Sequence, residues 1–343
     1  MPARKMKMTN SRINIALCQG IVKSEWTDRM ASALVSEKQY FQQEISWNHV
    51  DINCDGWIDK LKDYDAILWP PGCMGIKPSS HLKEKVYFIQ HHLKRLIVPN
   101  FESVWHFESK VAQSYLFNYY ELSTPRTVVT SSIEDAMALL EKEKYPLVFK
   151  SSSDAASRGV RLVRNPVRAK YRAWKSLYTG FWWKAMRRVF RLDHKDNVAY
   201  WQEFVPKNEC DLRITAIGDK WAVGFWRWNR PNDFRASGSG LIDYEKPIPE
   251  ETIHFCLDLN KKHNFDSMAY DIIFKDGKHV IVEISYTYVD KAIYNAPGYY
   301  VRNENEKLEY KKGNTWPEQL WVRWLADRLK VIESIVKSEV RHV

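Results

Sequence analysis

Between residues 13 and 100, short apolar runs alternate with amphipathic stretches, and this alternation constrains the fold more than any other feature of the chain. "INIAL" (13–17), "DAILW" (65–69) and "RLIVPN" (95–100) read as strands, and the spacing predicts helices over 25–38 and 80–92. Strands separated by helices imply a parallel sheet covered on both faces. "WPPGCMG" (69–75) follows a strand's C-terminal end, where such sheets place ligands; it reads equally well as a plain turn.

Beyond residue 100 the pattern changes. A helix is expected over 107–117, carrying Lys110, and another over 132–143. "AYWQEFVP" reads as a buried strand ending at Pro206. "DLRITAIGDKWAVGFWRWN" is a hairpin about Gly218-Asp219, and "AYDIIFKDGKHVIVEIS" is a second one. Residues 317–340 carry apolar positions at helical spacing. The expected class is therefore α/β at the N-terminus and α+β after it. With 343 residues, 45% of them apolar, the chain can fill two domains.

The five cysteines lie far apart and none forms CxxC, which argues against a disulfide framework or zinc site and for a reducing compartment. No apolar run reaches the length of a membrane span. The N-terminus reads as a basic tail before a first strand, because its apolar run is short and broken by Asn14. A cytoplasmic location is expected.

Net charge is +10, and one segment supplies most of it: residues 164–195 hold ten Lys/Arg against one acid. If helical, Tyr171, Trp174, Tyr178, Phe181, Trp182, Ala185 and Val189 share a face, with Arg172, Lys184, Arg187, Arg188 and Arg191 largely opposite. Such a segment suits an anionic membrane surface or polymer. It equally suits an insertion whose aromatics pack on the body. Nucleic acid is the weaker reading.

"YPLVFKSSSDAASRGVRLV" (145–163) places Lys150 at the end of an apolar strand, before a loop of small and polar residues. A lysine whose head is inside requires an anion. The loop's amides and hydroxyls, Ser153 among them, and Gly159 suit close approach to phosphates and closure as a lid. An ordinary hairpin loop beside a surface lysine is the alternative. No Walker-type GxxxxGK is present.

Asp271 in "YDIIF" and Glu283 in "VIVEIS" are acids inside apolar strands. Val280, Val282 and Ile284 are expected on one face, with Ile281, Glu283 and Ser285 on the other. Two carboxylates converging on one face would suit magnesium. Register decides this. A two-residue turn at Asp276-Gly277 would separate them, so the metal reading requires a three-residue loop, Lys275-Asp276-Gly277, with a bulge.

The order of Lys150 and its small-residue loop, "QEFV", "DLRI", "DFRASGSG", "YDIIF" and "VEIS" resembles that of the ATP-grasp enzymes, most of all the branch of the ribosomal-protein glutamate ligases. The resemblance covers residues 95–290. It implies an ATP-grasp domain over 101–343 after a pre-grasp domain over 1–100. The lid-bearing lobe would span about 125–200 and the metal-binding lobe about 201–343. It implies ATP, magnesium and ADP-forming ligation of a carboxylate to an amine through an acyl phosphate.

Carried over by position, Lys150 would bind the α/β phosphates and Lys110 would assist near the nucleotide. Gln202, Glu203, Phe204 and Val205 would form the adenine hinge, and Asp211 would help hold the nucleotide. Arg213, Arg235 and, less strongly, Arg227 would steady the transferred phosphoryl group. Asp271 and Glu283 would ligate magnesium. Ser285 stands where the family usually has asparagine, which puts full metal occupancy in doubt. An amine donor and a large or anionic acceptor, such as a glycan intermediate or acidic peptide, would meet at a pocket shaped by 290–321. The rival reading is a non-catalytic ATP-binding protein that docks on membranes or anionic polymers.

Overall fold

The computed structural model describes residues 12–19, 25–69, 80–150, 160–177 and 198–341. Three sheets organise them. The first is parallel, β2-β1-β3-β4, built from β1 (Arg12–Cys18), β2 (Glu44–Val50), β3 (Ala66–Leu68) and β4 (Leu96–Val98). Helices Glu25–Ser36 and Ser80–His91 form the expected crossovers. β2 has no counterpart in the sequence reading, because "EISWNHV" is an edge strand whose Glu44, Asn48 and His49 stay exposed. Of the 69–75 loop only Trp69 is described, and it is buried.

The second sheet is antiparallel, β5-β8-β6-β7: β5 (Thr127–Thr130), β6 (Leu147–Lys150), β7 (Val160–Val163) and β8 (Ala199–Glu203). It has its own small core, where Leu147, Phe149 and Trp201 meet Ala136, Leu140, Ala169 and Ala173 of helices Ile133–Lys142 and Pro166–Leu177.

The third sheet follows the path β13-β12-β9-β10-β14-β15, with β11 paired to β10. Its strands are β9 (Cys210–Ile217), β10 (Trp221–Trp228), β11 (Ile242–Asp243), β12 (Ser267–Lys275), β13 (Lys278–Ser285), β14 (Gly298–Arg302) and β15 (Leu308–Lys312). This sheet and the first share two apolar clusters. One joins Ile67 and Trp69 to Leu212 and Tyr270; the other joins Ile13 and Leu17 to Val223, Phe225 and Trp321. Helix Pro317–Arg341 supplies Trp321 and confirms the C-terminal helical pattern.

A buried polar node fixes this union. The Asn100 amide donates to Asp266 Oδ2 at 2.7 Å, and Trp324 Nε1 donates to Asp266 Oδ1 at 2.7 Å. The end of the first sheet, the start of β12 and the C-terminal helix are thereby tied to one carboxylate. At the β9–β10 turn Gly218 takes φ 55° with the Trp324 ring against it, so a side chain there would meet both backbone strain and a clash.

The described part of the basic segment, helix Pro166–Leu177, buries Ala169, Ala173 and Leu177. Tyr171 and Trp174 are 61% and 41% exposed, so these two aromatics are not packed into the body. The rest of the expected aromatic and basic faces, residues 178–195 with Tyr178, Phe181, Trp182 and Arg187, lies outside the described residues. Among the described residues no helix is long and apolar enough to cross a membrane.

Candidate active site

The β12–β13 hairpin decides whether the two acids converge. Its turn is the even one: Lys275 pairs with Lys278, and Asp276 and Gly277 carry φ 51° and 79°. Positive φ at both central residues is the two-residue turn that matches strand twist, and glycine takes it without strain. The expected three-residue loop is absent, yet Asp271 sits directly opposite Glu283. The parity is restored inside the strand. Ile272 pairs with Ile281 while Asp271 pairs with Glu283, so Val282 is an extra, bulged residue. The bulge also breaks the expected facing pattern. Ile281 turns with Ile284 into the core, away from Glu283.

Alternation places the remaining residues. On β6, Phe149 enters the core while Val148 and Lys150 face a cavity of about 460 Å3. On β9, Leu212 and Ile214 are buried in the core while Asp211 and Arg213 line the cavity; on β12, Ala269, Asp271 and Ile273 line it. The cavity lies between the second and third sheets. Lys110, Gln202, Glu203, Phe204, Val205, Arg235, Glu283 and Ser285 also line it. Arg227 does not. Ser153 and Gly159 lie outside the described residues.

Charge is arranged unequally around this space. Arg213 donates from Nε to Asp271 Oδ1 at 2.7 Å and from Nη2 to Oδ2 at 2.9 Å. Arg227 donates from Nε and Nη2 to the two oxygens of Asp211 at 2.7 and 2.6 Å. The same Nη2 lies 2.8 Å from Asp271 Oδ2. Burial alone would raise the pKa of Asp271; the two guanidiniums outweigh it and hold the carboxyl well below the usual carboxylate range.

Glu283 beside it is exposed. Ser285 Oγ donates to Thr287 O at 2.8 Å and accepts from Thr287 N at 3.2 Å, which commits its proton and one lone pair to a turn. Arg235 is gripped by Asp233 at 2.9 Å.

On the opposite sheet Lys150 is half-buried, with Nζ 5.8 Å from the Tyr200 ring centroid. Desolvation pulls its pKa down to about 8, against Glu283, which raises it; Lys110 lowers it further. Gln202 donates to Thr127 Oγ1 at 2.8 Å, and Glu203 pairs with Lys275 at 2.6 Å, linking the two sheets. Phe204 meets Phe234 edge-on at 5.6 Å.

Sequence reasoning missed Val148, Ile273 and Phe234, part of the apolar lining. The first two stand two residues from Lys150 and Asp271 on the same strand faces, so a period of two could have found them.

Solved structures supply the deciding likeness. A Chryseobacterium gregarium RiPP-associated ATP-grasp ligase, in complex with ADP and a leader and core peptide, superposes with a TM-score of 0.54 at 13% identity. The match covers 92% of this chain and 97% of that one. The chain has the ATP-grasp fold.

An ATP-grasp RimK domain protein from Sphaerobacter thermophilus agrees, with a TM-score of 0.51, 12% identity and coverage of 79% of this chain and 90% of that one. By sequence, the ATP-grasp chain is similar to the α-aminoadipate–LysW ligase LysX of Saccharolobus solfataricus. They are 29% identical over 180 residues, which are 52% of this chain and 61% of the relative. The chain thus spans about six-tenths of that relative's length. No family model matches.

Proposed function

We propose that this ATP-grasp protein is an ATP- and magnesium-dependent ligase that joins a carboxylate to an amine with release of ADP. One observation carries the reading: Lys110, Lys150, Arg213 and Arg235 converge with Asp271 and Glu283 on a single cavity between two sheets. With Lys207, and with Glu108, Glu203 and Asp211, the lining holds five cations and five carboxylates, and such a mixture suits a polyphosphate carrying a divalent metal. The sequence and fold likenesses to ligases point the same way.

When bound, Mg·ATP supplies the phosphoryl group that converts the carboxylate into an acyl phosphate open to attack by the amine. The chain's own part is positioning and charge neutralisation. Lys150 and Lys110 hold phosphate oxygens, and burial of Lys150 sharpens its demand for an anion. Gln202 to Val205, with Val148 and Ile273, offer the base an edge and an apolar slot. Arg213 and Arg235 steady the group in transfer.

For magnesium the donors fit unevenly. Glu283 offers an accessible carboxylate, Asp271 is already engaged by arginine, and Ser285 has a single lone pair left. Glu283 is therefore the principal metal ligand, with Asp271 second. Among the described residues no cluster of three or more His, Cys, Asp or Glu could hold a metal, consistent with phosphate oxygens completing the shell.

For the acceptor we infer a peptide or protein segment, in line with the peptides bound by the C. gregarium ligase and the LysW named for LysX. The outward Tyr171 and Trp174, flanked by Arg164, Arg168 and Arg172, offer such a segment an aromatic and basic face if it is acidic.

Incubation with ATP, magnesium, amino acids and a library of acidic peptides tests the reading. ADP release dependent on both an amine and a carboxylate is expected. Release of AMP and pyrophosphate would overturn it.

A further inference from the structure

Arg227 stands apart from the residues that line the cavity. Its side chain is 9% exposed, against 18% for Arg213, and it does not line the cavity. It lies behind Asp211 and Asp271. Its Nε and Nη2 grip Asp211, and Nη2 reaches on to Asp271 Oδ2 at 2.8 Å. Arg213, by contrast, lines the cavity and is bonded to Asp271 alone among these acids.

The cross-strand pairs enforce this. Asp211 is opposite Arg227, and Arg213 is opposite Asp271, so the four side chains stand on one face of three neighbouring strands. Two guanidiniums and two carboxylates cancel. An anion that draws Arg213 away leaves Asp271 with one partner, Arg227, whose own position Asp211 fixes.

We propose that Arg227, anchored by Asp211, is a positioning residue: it keeps the Asp271 carboxylate aimed at the cavity and covers its charge when Arg213 turns to a phosphate. The proposal rests on the reading that the cavity takes a nucleotide. Asp211 is then an anchor rather than a nucleotide ligand. Metal and nucleotide become coupled through Asp271, because a cation on that carboxylate does the covering that Arg227 otherwise does. Coupling of this kind is reciprocal between the two ligands.

The two members of the anchor therefore act in opposite directions. Without Arg227, Asp271 faces the phosphates uncovered, so binding without metal weakens while magnesium rescues it. Without the Asp211 charge, Arg227 leans wholly on Asp271 and competes with the metal.

The test is calorimetric titration of a non-hydrolysable ATP analogue in EDTA and in excess magnesium, with folding checked by near-UV circular dichroism. Arg227→Gln is expected to bind about tenfold or more weakly in EDTA, and to come within about threefold of wild type in magnesium. Asp211→Asn is expected to show a smaller magnesium enhancement than wild type. Equal losses with and without magnesium in both variants would indicate a structural role and overturn the proposal, as would no change in either. If Arg227→Gln does not fold, Arg227→Lys, which keeps the charge but loses the two-pronged grip, is expected to bind more weakly than wild type in EDTA and to recover in magnesium; an enhancement equal to wild type in both Arg227→Lys and Asp211→Asn overturns the proposal. If wild type binds no nucleotide in either condition, the nucleotide reading itself is wrong and the proposal goes with it.

Discussion

The two sheets that face each other across the cavity handle charge in opposite ways. The third sheet presents a neutralised set: Arg213, Arg227, Asp211 and Asp271 satisfy one another before any ligand arrives. The second sheet presents Lys150, whose burial disfavours its own charge. A closed network can hold its geometry without ligand but must exchange partners to use it. A desolvated lysine has little to exchange and gains most from an incoming anion. The difference extends to packing, since the third sheet shares two cores with the first whereas the second sheet keeps its own.

Breaking the closed network should have the largest effect. Asp271→Ala takes from Arg213 the carboxylate that holds it, while Arg227 keeps Asp211, and removing one partner of a buried pair costs about 3–5 kcal/mol. Urea unfolding checks this; an unchanged midpoint would show the network contributes nothing. The pH dependence has a defined sign. Because the folded pKa of Asp271 is depressed, its stabilisation is present above about pH 4 and lost as pH falls. Glu283→Gln, on the exposed neighbour, should leave the unfolding midpoint in place while weakening the magnesium enhancement of nucleotide binding.

Lys150→Ala should weaken nucleotide binding by about 1.5–3 kcal/mol, the value of a charge-assisted contact, with no loss of stability. Calorimetry with ADP decides; equal affinity in the folded variant removes Lys150 from the site.

Titration of Lys150 gives a smaller effect. With its pKa near 8, the ammonium is fully present below that pH and lost above it. Nucleotide affinity should be flat from pH 6 to 7.5 and fall by up to about tenfold per unit above pH 8. Lys150→Arg should remove the fall, since guanidinium stays charged. An unchanged slope in that variant assigns the titration to another group.

The smallest effect concerns the turn that orients the acids. Gly277→Ala meets no atom within 4 Å, so only its backbone strain at φ 79° counts. A loss of about 1 kcal/mol in unfolding free energy is expected.

How far these features could be read in advance differs between the same regions. The faces that carry Lys150 on one sheet and Asp211, Arg213 and Asp271 on the other are legible, because a strand's period of two is written in the order of its residues. The bulge at Val282 is not. An extra valine among valines and isoleucines leaves no mark on composition, and the turn that seemed to settle the register was even. The convergence of Asp271 and Glu283 was foreseen through the wrong device.

The surroundings of Arg227 cannot be read from "FWRWN" alone. Only the pairing of β9 with β10, with Ile217 opposite Trp221 across a turn of residues 218–220, brings it against Asp211. The β14–β15 hairpin was missed for a third reason: "LEYKK" is a solvated edge whose side chains, apart from Leu308, are exposed.

The central claim is that one nucleotide bridges the two sheets. Hydrogen exchange with and without Mg·ADP tests it most directly, since each sheet reports separately. Slowed exchange is expected together at 148–150 and 202–205 on the second sheet and at 269–273 and 282–285 on the third. Protection confined to one sheet, or lying wholly outside these segments, would contradict it.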